Sequence, residues 1–558
     1  MEREHSKALK DTYYLANFHA LVSFVFANYG DLLHSEEKNW YSTICRLPEP
    51  AQCLYIRLLT RRGSIFRVSR LDYPEIENLS LAATDLASSG LTSSTPSSEL
   101  ATLARCFTKA ELVRLLRVEG ADNLTRAELL ENLTAGEKHV TDQHSNKLQG
   151  ADQWVNVFGH QHLTLMQLCY FGNLYQDLSQ FVLADLGAVR YADYTLDVEY
   201  RYFCTREQVD AHIRYYECCV LFDLADHRDA TALLQLHKKL PEYPSEDEHL
   251  IRRIDRLRVT LARQLERLSE LESALEVYRT CHHPPARERQ VRILLSLSRQ
   301  EQAIDVCQQM LDKPFNASER QIAESLMQRC RSASGLQVLT NRSFRPQASR
   351  LVLRKTEKRV EIAAKEYYQR QGECHYVENA LFNSMLGLAI WDIVFHSIPG
   401  VFFNPYQVAP ADFYLPSFIL RRQQLLSDRL KELNSSATIE KLVMENYHRY
   451  HGIANPLVRW QRIDESLLHL SINRIPLNHW HPVFNNLLAD LRENTSGMPD
   501  LIVFPDSGGY ELIEIKGPGD SLQPKQRRWL QLFTQNQIPA RVVHIGWSSA
   551  TSIVERLN

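Results

Sequence analysis

Two acids and a lysine set inside strand-like text constrain this chain more than any other feature. Residues 497–529 read "GMPDLIVFPDSGGYELIEIKGPGDSLQPKQRRW". "PDLIVF" opens with a Pro–Asp pair ahead of an apolar run, "PDSGG" is turn text, and "YELIEIK" is the partner run, so the spacing predicts a β-hairpin. Side chains alternate along a strand, which puts Glu514 and Lys516 on one face and Ile513 and Ile515 on the other. Asp500, at the head of the first strand, can approach Glu514. Two carboxylates held close repel each other and are costly to remove from water. A divalent cation relieves both problems, and Mg2+ or Mn2+ prefers oxygen ligands while keeping several waters. A lysine two residues on can contact a nucleophilic water or the charge developing on a phosphate.

The rest of the chain bounds the context. Its 558 residues suggest three or four units at about 100–200 residues each. No apolar run reaches the length of a membrane span, and the charged start "MEREHSKALKDTYY" lacks an apolar signal core. Eleven cysteines without CxxC spacing fit a reducing, intracellular compartment and no structural zinc. The net charge of −3 means that nucleic-acid contact must come from local basic patches.

Four segments emerge, and the expected fold is mainly α and multidomain. Residues 1–83 form an N-terminal, mainly helical DNA-binding region, in which "QCLYIRLLTRRGSIFRVS" predicts a helix, a turn and a strand. Arg57, Arg61, Arg62, Arg67 and Arg70 cluster there, as either a phosphate-contacting or a plain solvated face. Residues 84–150 hold a polar linker or loop tip, 84–99, and a second polar linker, 134–150, around a helical pair. In that pair Thr108 and Glu111, then Thr125 and Glu128, spell two capping boxes. The pair resembles the SAP module, whose DNA-facing cations would be Lys109, Arg114, Arg117 and Arg126. Residues 151–340 are helical, and "ELESALEVYRTC" matches "RQEQAIDVCQQML" 29 positions on (Ala274 with Ala303, Tyr278 with Cys307), as in degenerate tetratricopeptide-like pairs. No chemistry is assigned to them. Residues 341–558 carry the α/β text of the hairpin, expected to form a mixed sheet, entered by the basic stretch 342–359 with Arg342, Arg354 and Lys355.

The Asp500…Glu514-x-Lys516 set resembles the PD-(D/E)xK nuclease signature. "GMPDLIVF" followed by "KGPGDSLQPKQRRW" looks like the VRR-NUC domain of the Fanconi-associated nuclease family. "NALFNSMLGLAIWDIVF", "LDYPEI" and the order of segments agree. The resemblance implies metal-dependent cleavage of branched or 5′-flap DNA, 5′→3′ exonuclease action and a role in interstrand-crosslink repair. It implies one or two Mg2+ or Mn2+ ions held by Glu378, Asp500, Glu514 and the Ile515 carbonyl, with Lys516 beside them. Glu373 and Asp392 are rivals to Glu378, with Asp392 read as structural. Lys525 would receive the 5′-phosphate end, with Arg492 as companion and Arg527 and Arg528 in similar roles; Arg541 has no assigned role. The chain shows no N-terminal cysteine/histidine module for ubiquitin binding, which points to a bacterial member, placed in the cytoplasm or nucleoid; a eukaryotic one would be nuclear.

Competing readings are weaker. His160 and His162 lack a third metal ligand at defined spacing, and His479 and His481 read as packing or capping residues. No GxxxxGK[ST] or GxSxG occurs. The alternative from a different class is a non-catalytic DNA-binding scaffold with a decayed nuclease fold.

Overall fold

The computed structural model describes residues 11–95, 99–118, 120–135, 138–181, 189–242, 247–333 and 344–548. Its contacts define two compact units, Met1–Ala188 with Leu196–Ile213, and Val189–Thr195 with Arg214–Asn558.

In the first unit, helices Tyr13–Tyr29, Ser35–Arg46 and Glu49–Leu59 accompany a small antiparallel sheet. Its strands are β1 (Ile65–Arg67), β2 (Thr92–Ser93) and β3 (Trp154–Val157), in the order β1-β3-β2. Both predicted capping boxes are present, opening helices Lys109–Leu116 and Arg126–Thr134. Leu112, Leu129 and Leu133 from this pair pack with Phe107, Leu148 and Trp154 in one core.

Helix occupies part of each of the two stretches read as linkers. Helix Leu79–Ser89 runs into the first, buries Ala82, Ala83 and Leu86, and ends at Gly90, whose φ of 78° suits a left-handed cap. Helix Lys138–Gln149 occupies most of the second and lends Leu148 to the core. A polar helix that buries a single stripe has little apolar text to announce it.

In the second unit, helices Glu248–Arg267, Leu271–Arg279, Ala286–Ser296, Gln300–Asp312 and Ala317–Ala333 stack in sequence. The 29-residue match extends to their turns. Ser269 and Ser298 both take positive φ, and the bonds Glu270 N–H to Leu265 O and Arg299 N–H to Leu294 O repeat at that interval. Ala274, Ala303, Tyr278 and Cys307 are fully buried, so the sequence match is a packing match.

The nuclease part is a five-stranded mixed sheet of β4 (Ala348–Arg354), β5 (Gly372–Tyr376), β6 (Leu501–Pro505), β7 (Glu511–Lys516) and β8 (Ala540–Ser548). The order is β4-β8-β7-β6-β5, with β5, β6 and β7 antiparallel and β4 and β7 both parallel to β8. The predicted hairpin is β6–β7, with Leu501 opposite Ile513. Helix Val360–Tyr368 packs Ala364 and Tyr368 against Ile513, Ile515, Leu501, Val503 and Val543. Helix Pro524–Gln535 joins β7 to its parallel neighbour β8, as a parallel crossover requires, and buries Trp529, Leu530 and Phe533. Between β5 and β6 the chain inserts a helical block, including Leu381–Ala389, Ser436–Tyr450, Glu465–Arg474 and Leu477–Ala489.

Candidate nuclease site

Two strand ends and one helix build the site. Val377 and Glu378, just past β5, both donate their N–H groups to the Asp500 carbonyl, just before β6, at 2.9 and 3.2 Å. That clasp sets Glu378 beside Asp500 although the helical block separates them in sequence. The Asp500 carboxylate crosses to β7, where Oδ2 accepts the Ile515 N–H at 2.8 Å. Glu514 and Lys516 share the alternate face of β7, as the spacing predicts, with Lys516 Nζ 2.9 Å from Glu514 Oε1.

The electrostatics of these groups are costly. Asp500, Glu514 and Lys516 are all buried, and Glu514 is only 1% exposed. Burial pushes the Asp500 carboxyl up, and the charges of Glu378 and Glu361 add to it. Burial pushes Glu514 up as well, followed by repulsion from Asp500, with Glu378 a smaller contributor. Glu514 Oε2 is buried without a hydrogen-bond partner. A desolvated carboxylate oxygen with no donor, next to a second strained carboxylate, matches the needs of a hard divalent cation. Among the described residues no three His, Cys, Asp or Glu side chains are already gathered for a metal. Glu378 instead accepts the Tyr376 hydroxyl.

Two participants escaped sequence reasoning. Gln526 donates from Nε2 to Glu514 Oε1 at 2.6 Å, and its Oε1 accepts from Lys516 Nζ and the Gln523 N–H, each at 2.9 Å. It thus fixes the acid and the lysine relative to each other. In sequence it reads only as the third residue of a helix. Glu361, at the start of helix Val360–Tyr368, adds negative field at Asp500. Its clue was an acid at the first turn of the helix preceding β5. The rivals to Glu378 point to other tasks: Glu373 lies 3.5 Å from His375, and Asp392 takes two bonds from Arg429 at 2.9 and 2.8 Å.

The pattern described as the VRR-NUC domain matches residues 434–547, and the one described as the FAN1 HTH domain matches residues 12–93. A Fanconi-associated nuclease 1 homolog from Pseudomonas aeruginosa is 34% identical over 96% of this chain and 96% of its own length. The chain belongs to the Fanconi-associated nuclease 1 family. It is therefore a nuclease, with a domain of a metal-dependent class. A family homolog from Arabidopsis thaliana is 24% identical, covering 94% of this chain and 66% of the relative. A solved structure of paFAN1 bound to 5′-flap DNA with a two-nucleotide flap and a gap superposes with a TM-score of 0.87 at 32% identity. It covers 98% of this chain and 100% of that one. No helix among the described residues is long and apolar enough to cross a membrane.

Within this family member the predicted cations have distinct surroundings. Lys525, on the helix that carries Gln526, lies 3.4 Å from Glu493 and donates to Ser496 Oγ at 3.3 Å. Arg528 bonds Gln321 at 2.9 Å and also reaches Glu493. Gly497, at φ 90°, lets the chain pass this helix, since a Cβ there would sit 2.8 Å from that of Lys525. Arg492 borders a cleft of about 550 Å3 that Arg252, Arg256 and Arg263 of the helical repeats also line. Arg252 and Arg492 both donate to the Tyr414 carbonyl, at 3.2 and 3.4 Å. Burial, then the charge of Arg492, holds Arg252 below its usual range. The repeats thus contribute arginines to the lining of this cleft.

Elsewhere the basic clusters are partly spent. Arg57 pairs with Glu75 at 2.7 Å and covers the Tyr14 ring, and Arg61 donates to Tyr73 Oη. Arg67 is buried between Asp152 and Glu111, over the ring of Phe107. Arg126 of the SAP-like pair donates to the Arg105 and Phe107 carbonyls. Arg354 ends the exposed strand β4, next to Lys355, while Arg342 lies outside the described residues. Arg541 is held by Glu511 at 2.9 Å on the Tyr368 ring, a structural post. His479 bonds Tyr510 Oη and His481 the Leu433 carbonyl, in line with packing and capping.

Proposed function

We propose that this nuclease cuts branched DNA next to 5′ flaps, trims 5′ ends in the 5′→3′ direction and serves interstrand-crosslink repair. The observation that carries the catalytic part is the unpartnered, buried Glu514 Oε2 beside Asp500. Asp500 and Glu514, with Glu378 and the Ile515 carbonyl, would hold one or two Mg2+ or Mn2+ ions. Such an ion lowers the pKa of a bound water and offsets charge on the phosphoryl oxygens. Lys516, tied to Gln526 and Glu514, orients the attacking water or offsets charge at the phosphate. The charge of a bound ion would offset the burial and repulsion that push both carboxyls up, and the unpartnered Glu514 Oε2 is open to it.

Lys525 and Arg492 receive the 5′-phosphate end, and the cleft of Arg252 and Arg256 extends that reception. Arg252 supports this because it is desolvated next to another guanidinium, a state that an anion relieves. Arg528, Arg57, Arg61, Arg354 and Lys355 would contact backbone phosphates, which position a duplex without reading its sequence. The protein would act on chromosomal DNA in the cytoplasm or nucleoid.

The test uses a labelled 5′-flap duplex with Mn2+ and the Asp500→Ala variant. Wild type should cut, and the variant should bind without cutting. If both bind and neither cuts, the catalytic assignment fails and a DNA-binding scaffold remains.

A further inference from the structure

We propose that Arg462, with Arg459 beside it, seats a backbone phosphate of the cut strand next to the scissile one, on the Glu378 side of the site. The inference rests on the reading of Glu378 as a member of the cutting site. A cavity of about 200 Å3 opens there, and its charged lining residues are Glu378, Arg459 and Arg462. The Arg462 guanidinium lies 5.0 Å from the centroid of the Tyr376 ring, and the Tyr376 hydroxyl donates to Glu378. The cation is therefore held near the carboxylate without being paired to it. Both arginines are exposed, and among the described residues neither has an acidic partner. The next acids in the chain are engaged elsewhere: Asp464 accepts the Leu467 N–H at 2.8 Å, and Glu465 lies 3.5 Å from His448.

The position of these arginines is set before DNA arrives. Arg462 ends the single turn Trp460–Arg462. The Trp460 indole donates to the Ile453 carbonyl at 2.7 Å, and its ring packs with those of Tyr447 and His451. The Arg459 N–H donates to Oγ of the fully buried Ser384 at 3.0 Å. Ser384 belongs to helix Leu381–Ala389, which starts just after Glu378. The chain ahead of the turn lies hard against that helix, since a Cβ on Gly387 would sit 2.8 Å from that of Leu457. One helix thus carries both Glu378 and the anchor of the turn, and such preorganisation spares the cost of ordering on binding. The chemistry suits a phosphate. Glu378 alone would repel a DNA strand, and two guanidinium groups reverse the local sign. The contact with the Tyr376 ring engages no oxygen, so the N–H fork of Arg462 remains for phosphate oxygens. Tyr414 lines both this cavity and the arginine-lined cleft, so a strand held at its end in the cleft can run past Tyr414 to Glu378.

The experiment pairs two readouts. Single-turnover cleavage with Mn2+ is measured on a 5′-flap duplex and on duplexes in which one phosphate near the cut is a neutral methylphosphonate. Wild type should lose about tenfold at one such position, Arg462→Ala should lose about tenfold on the unmodified duplex, and neutralising that same phosphate should cost the variant little more. Arg462→Lys, which keeps a charge, should recover part of the rate. In the non-cutting Asp500→Ala protein, adding Arg462→Ala should lower the slope of log affinity against log salt by about one. An Arg462→Ala protein that cuts and binds as its parent does overturns the proposal. So does a loss that multiplies in full with the methylphosphonate at every position, which would mark Arg462 as a structural support for Tyr376. Failure of wild type to cut overturns the reading of the site instead, and the salt slope then decides on Arg462.

Discussion

Replacing Asp500 by Asn should stabilise the metal-free protein while abolishing cleavage. Asn keeps an oxygen for the Ile515 N–H, now at 2.8 Å from Asp500, so the strand contact survives. What disappears is a buried negative charge. Burial pushes the Asp500 carboxyl up from 3.8 to about 7. A carboxyl pushed up in the fold costs nothing below its ordinary range, and its penalty grows as pH rises through the folded value. Taken alone, that displacement corresponds to about 4 kcal/mol at pH 8. Asp500 and Glu514 titrate as a pair, so part of the gain belongs to Glu514, and about 2 kcal/mol is the expected order. In a chain of this size that is a rise of a few degrees in the transition of the nuclease part. Melting in excess chelator between pH 4 and 8.5 measures it. The variant should melt above wild type at pH 8, with the gap closing toward pH 4, and Mn2+ should raise wild type more than the variant. A variant that melts lower at pH 8, or a gap indifferent to pH, refutes the account of Asp500 as a desolvated anion.

Other outcomes follow from the same contacts. Gln526→Ala removes the bonds that fix Glu514 and Lys516, so single-turnover cleavage should fall about 10- to 100-fold with flap affinity unchanged. Lys525→Ala and Arg492→Ala should each weaken binding of a 5′-phosphorylated end and lower the slope of log affinity against log salt by about one. Arg67→Ala leaves Asp152 and Glu111 without their buried cation and should destabilise the first unit by about 3 kcal/mol or more in calorimetry.

Much of the site was legible because a two-residue period needs few residues to declare itself. Glu514, Lys516 and the hairpin stand where alternation puts them, and the Thr108 and Thr125 capping boxes form as spelled. The 29-residue match likewise survives down to repeated turn bonds at Ser269 and Ser298. What sequence hid is what depends on distant segments meeting. Gln526 looks like an ordinary N-terminal helix residue until the crossover lays it over β7. Arg252 looks like one cation of an amphipathic helix until Tyr414 brings Arg492 to it. Arg67 read as either a phosphate contact or a solvated charge, but it is buried against partners from Glu111 and Asp152, far along the chain. The polar helix Lys138–Gln149 passed for a linker because its buried content is slight.

The clasp between the end of β5 and the start of β6 has a consequence for how such a protein can diversify. Two backbone bonds to the Asp500 carbonyl close the loop through the whole helical block, so the block's length does not enter the spacing of Glu378 and Asp500. Closing a longer loop adds only about 0.6 kcal/mol for each doubling. Insertions, losses and remodelling of those helices can therefore leave the spacing of Glu378 and Asp500 unchanged.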